Sequence, residues 1–168
     1  MAQKEGSAKG WTRLPKLGSR GERGEAYKQL GRKVLEIELA GVRQMLDRIG
    51  DEFVRACRHL RYEKIGPLDK RRSGHVVVMG VGKSGHVGTK IAATLASTGT
   101  PAFFVHPAEA AHGDLGMLTA HDVVLALSNS GKTGEIVALL PGLKKLGVKL
   151  IAMTGDPQSP LAKAADVH

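Results

Sequence analysis

The chain has 168 residues, of which 42% are hydrophobic but only 4% aromatic, so its core must be aliphatic. Its formal charge is +9, yet residues 75–168 hold 7 Lys/Arg against 6 Asp/Glu, so the excess lies in residues 1–74. A nucleic-acid binder normally carries its charge on the folded surface that makes the contact, which argues against nucleic acid as a partner. One cysteine excludes an internal disulfide, and no apolar run approaches the length of a membrane span. We therefore expect a cytoplasmic location and no membrane partner.

Composition divides the first 74 residues into three segments. Residues 1–24 mix Gly, Ser, Lys and Arg without periodicity and are predicted to be a disordered basic tail. Residues 25–60 repeat apolar side chains at steps of three or four, which predicts one long or two consecutive amphipathic helices. Residues 61–74 contain Gly66-Pro67 and a basic run and are predicted to be a linker. The apolar stripe of the helical segment needs a partner, and we expect it to pair with a second copy in a homo-oligomer.

A glycine-containing turn follows the apolar run Val76–Met79, and helical periodicity follows the turn. This order predicts a buried parallel strand, a tight turn and a helix whose N-terminus favours an anion. A Walker A loop would require glycine at Val77, so a nucleotide triphosphate is disfavoured. The turn matches the dinucleotide pattern GxGxxG, but the next predicted strand ends in Val105-His106 without the acid that holds a ribose. The interpretation that remains is a turn that carries a lysine and can bind a phosphate group.

Three more strands are predicted, over residues 102–105, 122–127 and 148–153. A helix is predicted over 134–146, with Pro141 as a kink or an early stop, and Ser159-Pro160 should begin a short helix through Ala165. Residues 107–118 are predicted to be a long loop. The alternation predicts an α/β domain over residues 75–168, a doubly wound parallel sheet of flavodoxin- or Rossmann-like type, preceded by the amphipathic N-terminal helices.

A second polar turn, residues 128–135, follows the third predicted strand. Three hydroxyls, those of Ser128, Ser130 and Thr133, lie within six residues, and Gly131 relaxes the backbone between them. Hydroxyls and helix-start amides together suit a phosphate. The alternative is that these side chains only cap a helix, but one cap needs one hydroxyl rather than three.

The series GVGKSGHVG, STGTP, FFVHP, AAHGDLGM and SNSGKTGEI resembles the sugar isomerase (SIS) domain family, and within it the bacterial D-arabinose 5-phosphate isomerases. The resemblance covers Gly74 to His168, and more loosely Tyr27 to Leu60. It implies a SIS-type fold and interconversion of D-ribulose 5-phosphate and D-arabinose 5-phosphate, a supply step for lipopolysaccharide or capsule. It implies a pentose phosphate substrate, no cofactor and no metal.

The resemblance also assigns site residues. It implies catalytic roles for Lys83, Glu135 and His112. It implies substrate or phosphate contacts for residues of the two turns: Gly82, Ser84, Gly85, Ser128, Asn129, Ser130, Gly131 and Thr133. Lys132 departs from the family pattern, which commonly has glutamate at that place.

The residue types agree with this chemistry, since aldose–ketose isomerisation needs a base and a cation for the enediolate oxygen. Alternatives stay open: Lys83 could contact phosphate only, and Glu135 could only complement a helix dipole. His86, His106 and His112 lack the short spacing of a metal site. The alternative function is a non-catalytic sugar-phosphate-binding module or sensor.

The resemblance further implies a fifth strand, another glutamate and a catalytic histidine beyond His168. We therefore expect either a fragment or a protein that keeps only the binding half, with little or no isomerase activity of its own.

Overall fold

A computed structural model of the chain describes residues 20–61 and 74–168. The chain divides after Arg48 into two compact units. In the first unit, helix α1 spans Arg20–Leu46. The second unit, Ile49–His168, begins with helix α2, Asp51–Arg61, so the helical segment forms two consecutive helices. Helix α1 begins five residues before the predicted start. The remainder of the predicted tail, and the predicted linker except its two end residues, lie outside the described ranges.

Four parallel strands form one sheet in the order β2-β1-β3-β4. They are β1 (Val76–Gly80), β2 (Ala102–Val105), β3 (Val123–Leu127) and β4 (Lys149–Met153). Helix α3, Lys83–Ser97, connects β1 to β2. Because β1 lies between β2 and β3, the chain winds first one way and then the other, which confirms the predicted doubly wound α/β architecture.

Alternate residues of the strands enter two cores, one on each face of the sheet. One core joins strand residues to α3 and α2: Val76, Val78, Val123, Leu125, Leu127 and Ile151, with Ala92 and with Ala56 and Leu60 at its margin. The other core joins strand residues to the later helices: Val77, Met79, Val124, Ala126, Leu150 and Ala152, with Ile136, Leu139, Leu143 and Leu161. Strands β1 and β3 are buried along their whole length, as continuous apolar runs require.

The segment predicted as a loop after β2 is in fact ordered. It contains helix α4, Pro107–His112, and a 3₁₀ turn, Asp114–Met117. The ring of His106 caps α4 by accepting a hydrogen bond from the amide of Ala108 (3.2 Å). Pro107 at the first helical position and Gly113 (φ 143°) after the last are helix boundary signals, and the prediction overlooked them.

Two short helices replace the single one predicted over residues 134–146. They are α5, Gly134–Val137, and α6, Leu140–Leu146. Pro141 has no N–H to donate to the carbonyl of Val137, which accounts for the interruption. The last helix, α7, spans Pro160–Ala164 and has Ser159 as its N-cap, as predicted.

Residues after α7 return to the free edge of β4. Val167 pairs in parallel with Ile151, and the carboxylate of Asp166 accepts hydrogen bonds from the amide of Leu150 (2.9 Å) and from Lys149 (2.7 Å). Arg55 of α2 donates to the carbonyl of Asp166 (2.6 Å). Helix α2 is therefore attached to the same edge.

Candidate functional site

Three chemistry-bearing segments follow neighbouring strands. The turn after β1 carries Lys83, helix α4 after β2 ends in His112, and the turn after β3 leads to Glu135. Since β1 lies between β2 and β3 in a parallel sheet, all three segments emerge at one edge. Helix α4 also packs beside α5. This is the edge where ligands bind in open α/β sheets.

Close backbone packing shapes the turn after β1. A side chain on Gly80 would meet the backbone of Ser84 at 2.8 Å, and one on Gly85 would meet the carbonyl oxygen of Gly80 at 2.9 Å. Gly82 precedes the helix with φ 57°, a backbone conformation that other residues adopt rarely. The glycines therefore bring the start of α3 directly against the end of β1. Lys83 is the first residue of that helix, and it is exposed.

The turn after β3 is closed by its own hydroxyls. Ser128 is 3% exposed, and its Oγ lies 2.7 Å from Oγ1 of Thr133. The same oxygen accepts a hydrogen bond from the amide of Gly131 (3.0 Å). Ser130 is exposed, and its Oγ accepts from the amide of Lys132 (3.2 Å). Ser128 thus organises the loop from inside, while Ser130 and the neighbouring Asn129 lie at its exposed surface.

Unused backbone donors follow these hydroxyls. The amide of Ile136 is bonded to the carbonyl of Thr133 (3.1 Å). The three preceding amides, those of Thr133, Gly134 and Glu135, donate no hydrogen bond to an acceptor in the described ranges. Donors at the start of a helix, together with the Ser130 and Thr133 hydroxyls, can satisfy a bound phosphate. We call residues 128–135 the phosphate cradle.

The structure adds a neighbour that sequence reasoning missed, the turn after β4, residues 154–159. The amide of Gly155 donates to the carbonyl of Asn129 (3.0 Å), and the amide of Leu161 donates to the carbonyl of Gly131 (3.2 Å). In the sequence this turn showed only a helix-capping pattern. Its position against the cradle depends on the pairing of β3 with β4, which no local pattern reveals.

The turn after β4 also supplies a charge. Lys132 lies 2.8 Å from a carboxylate oxygen of Asp156. The hydrogen bond that Lys132 donates to this carboxylate, together with the one from the amide of Gln158, holds the pKa of Asp156 below its ordinary value. The lysine that departs from the family pattern is therefore paired with a carboxylate beside the cradle.

Residues 20–61 and 74–168 lack two features. No group of three or more His, Cys, Asp or Glu side chains is arranged to hold a metal ion there. His86, His106 and His112 belong to no such cluster. Among the helices of these ranges, none combines the length and the apolarity that crossing a membrane requires.

The fold and the two turns at one sheet edge define a class, and comparison with known proteins agrees with it. The SIS domain profile matches residues 71–168, and the chain belongs to the SIS domain family. It is 62% identical over 136 residues to the arabinose 5-phosphate isomerase KdsD of Pseudomonas aeruginosa, a match that covers 81% of this chain and 39% of that protein. It is 53% identical over 145 residues to KdsD of Yersinia pestis, covering 86% of this chain and 42% of the relative.

A solved structure is similar as well. That of c3406 from Escherichia coli CFT073, in complex with arabinose 5-phosphate, has a TM-score of 0.73 and 45% identity, and covers 84% of this chain and 70% of that one. The chain spans about two fifths of the length of the curated relatives named above.

Proposed function

We propose that this chain is the sugar-phosphate-binding and isomerising part of an arabinose 5-phosphate isomerase, which interconverts D-ribulose 5-phosphate and D-arabinose 5-phosphate. The observation that carries the proposal is the placement of Lys83, the phosphate cradle and Glu135 on turns that follow adjacent parallel strands. The high identity to KdsD proteins, over most of this chain, supports the same substrate.

In this proposal the cradle binds the phosphate and leaves the sugar to extend toward Lys83. The hydroxyls of Ser130 and Thr133 and the amides of Thr133 to Glu135 donate to the phosphate oxygens. In this proposal Gly82, Ser84 and Gly85 of the neighbouring turn contact the sugar chain.

The proposed chemistry passes through an enediolate. A base removes a proton from C1 of ribulose 5-phosphate, and the electron pair moves onto the C2 carbonyl oxygen. The C2 oxygen then gains a proton and the C1 hydroxyl loses one, which moves the charge to the C1 oxygen. This charge collapses to the C1 aldehyde as the first proton, or one from solvent, is returned to C2. The ammonium of Lys83 stabilises the developing oxyanion, and Glu135 or His112 carries the proton. Each of the three residues is exposed.

The proposed assembly is a homo-oligomer, and the proposed location is the cytoplasm. Helix α1 supports self-association, because large apolar side chains along it are exposed: Tyr27, Leu30, Leu35, Ile37, Leu39, Val42, Met45 and Leu46. An exposed apolar surface of this size is typical of an interface.

The test separates binding from turnover. Calorimetry should show that ribulose 5-phosphate binds, whereas ribulose, which lacks the phosphate, should not. In a coupled assay the chain alone is expected to form little or no arabinose 5-phosphate. Joined to the remaining residues of a KdsD relative it should form the product, and the Lys83→Met variant of this joined chain should bind but form none. Binding without turnover in the joined chain would replace the isomerase with the sensor function, and failure of both sugars to bind would overturn the proposal.

A further inference from the structure

The turn after β4 meets the phosphate cradle most closely where Ser159 faces Gly131. Ser159 is fully buried. A Cβ atom built on Gly131 would collide with both Cβ and Oγ of Ser159. The two residues are 28 positions apart in the chain, and they belong to the loops that follow neighbouring strands β3 and β4. Gly131 therefore rests directly on the Ser159 side chain.

Gly131 is held from both sides. Its amide donates to Oγ of Ser128 (3.0 Å) within the cradle, and its carbonyl accepts from the amide of Leu161 (3.2 Å), two residues after Ser159. Its φ of 61° is the left-handed conformation that glycine adopts without strain. The position of this one peptide fixes where the Ser130 hydroxyl and the Lys132 amide are presented. A contact that holds Gly131 in place therefore also stabilises the conformation of the phosphate cradle.

Ser159 has its own fixed position. Its Oγ accepts from the amide of Ala162 (3.3 Å) as the N-cap of α7, and it lies 3.5 Å from Oγ1 of Thr154. Leu161, which follows in α7, is fully buried in the core. A side chain anchored in this way cannot yield to Gly131, so the contact is rigid.

We propose that Ser159 is a positioning residue of the phosphate cradle: its buried side chain supports Gly131 and keeps residues 128–133 in the shape that binds a phosphorylated sugar. The inference rests on the proposed function, because it concerns how the same cradle binds its ligand. Ser159 itself touches neither the substrate nor the reacting atoms.

The test compares two alanine substitutions. Gly131→Ala and Gly147→Ala each add a methyl group to a left-handed glycine, with φ of 61° and 75°, but a methyl group on Gly147 meets nothing within 4 Å. Both substitutions place alanine at a positive φ, and the two positions differ in the contact with Ser159 and in that Gly131 alone belongs to the phosphate cradle. By calorimetry, Gly131→Ala should bind ribulose 5-phosphate about tenfold more weakly than the unmodified chain, since overpacking displaces the loop. Gly147→Ala should bind it unchanged.

A double variant identifies the contact as the cause. Ser159→Gly removes the two atoms that the new methyl group would strike and leaves Oγ1 of Thr154, at 3.1 Å, as its nearest neighbour. Glycine is a tolerated N-cap. Gly131→Ala with Ser159→Gly should therefore recover most of the lost affinity. If the double variant binds no better than Gly131→Ala, or if Gly131→Ala binds like the unmodified chain, the inference is overturned.

Ser159→Gly alone decides the matter if Gly131→Ala does not fold. Without the Ser159 side chain, amide hydrogen exchange at Gly131 should be faster, and the affinity for ribulose 5-phosphate should fall about threefold. Exchange at Gly147 should not change. Unchanged exchange and affinity would overturn the inference. If even the unmodified chain binds no sugar phosphate, the proposed function fails, and exchange at Gly131 still decides whether Ser159 positions the loop.

Discussion

The hydroxyl oxygens of Ser128 and Thr133 lie 2.7 Å apart and close the loop after β3 into a ring. Ser128 follows the buried strand β3, and Thr133 precedes helix α5. The two serines of the cradle therefore differ. Ser128 is buried and bonded within the loop, whereas Ser130 is exposed. Substitutions at the two serines should therefore have different effects.

Ser130→Ala should weaken binding of ribulose 5-phosphate with little loss of stability. The exposed hydroxyl accepts one bond, from the amide of Lys132, and in our proposal it donates to the phosphate. Losing one bond to a charged group should cost about 2 kcal/mol of binding free energy, which calorimetry can measure. Ser97→Ala is the control, since that exposed hydroxyl donates within its own helix. Equal affinity in Ser130→Ala and the control would remove Ser130 from the site.

Ser128→Ala should lower both stability and affinity. The change removes the buried acceptor of the Gly131 amide and the partner of Thr133. We expect about 1 kcal/mol less free energy of unfolding in urea, because the Gly131 amide keeps a second acceptor in the carbonyl of Ser128. Affinity for ribulose 5-phosphate should fall as the loop loosens. A stable variant with unchanged affinity would contradict this account of the loop.

Glu135→Gln should retain binding of ribulose 5-phosphate and lose isomerisation. The amide side chain keeps the size of the carboxylate but cannot accept a proton, so turnover should fall by about 10²- to 10⁴-fold if Glu135 is the base. The readout is exchange of the C1 proton with deuterated water, beside product formation, in the chain joined to the remaining residues of a KdsD relative. Glu109→Gln, at an exposed glutamate of α4, is the matched control. Full exchange in Glu135→Gln would transfer the role of base to His112.

Asp122 should make the free energy of unfolding depend on pH. Burial alone would raise its pKa, but hydrogen bonds from the amides of His75 and Thr119 and from the Thr119 hydroxyl, with the nearby His75 ring, together hold the pKa below its ordinary 3.8. The folded pKa is thus lower than the unfolded one. The carboxylate stabilises the fold at pH values above 3.8, and this contribution is lost as the pH falls through the folded pKa.

Asp122→Asn tests that dependence. At about pH 6 the variant should lose roughly 2 kcal/mol of unfolding free energy, since its amide group faces backbone donors. Urea unfolding at both pH values should show that the difference in unfolding free energy between the variant and the unmodified chain is smaller near pH 3. Asp114→Asn, at an exposed carboxylate, is the control. A difference in unfolding free energy that is the same at both pH values would show that the charge of the Asp122 carboxylate does not stabilise the fold.

Helix α1 should mediate self-association. Leu35, Leu39, Val42 and Leu46 recur at helical spacing and are 56–70% exposed. Leu35→Glu with Leu39→Glu should shift the chain toward monomer in light scattering at micromolar concentration, because burying two carboxylates is unfavourable. Gln29→Glu adds charge at an exposed polar position of the same helix as a control. A monomer in the unmodified chain would refute the prediction.

The sequence by itself determined the four strands and the parallel, doubly wound class of the sheet. Continuous β-branched runs such as Val76–Val78 can be satisfied only between two covering layers, and helices between strands impose parallel pairing. The two polar turns and the Ser159 cap were also readable locally. The bounds of the helices were less so: α4 was read as loop, although Pro107 and Gly113 mark its ends.

Only the tertiary structure decided what the turns do for one another. Whether Ser128 faces the interior or the solvent depends on how the end of β3 is buried, which composition does not specify. The contacts of Gly131 with Ser159 and of Lys132 with Asp156 arise because β3 and β4 pair in register and bring their following loops together. Residues 24 or more positions apart meet through that register, and a local pattern contains no information about it.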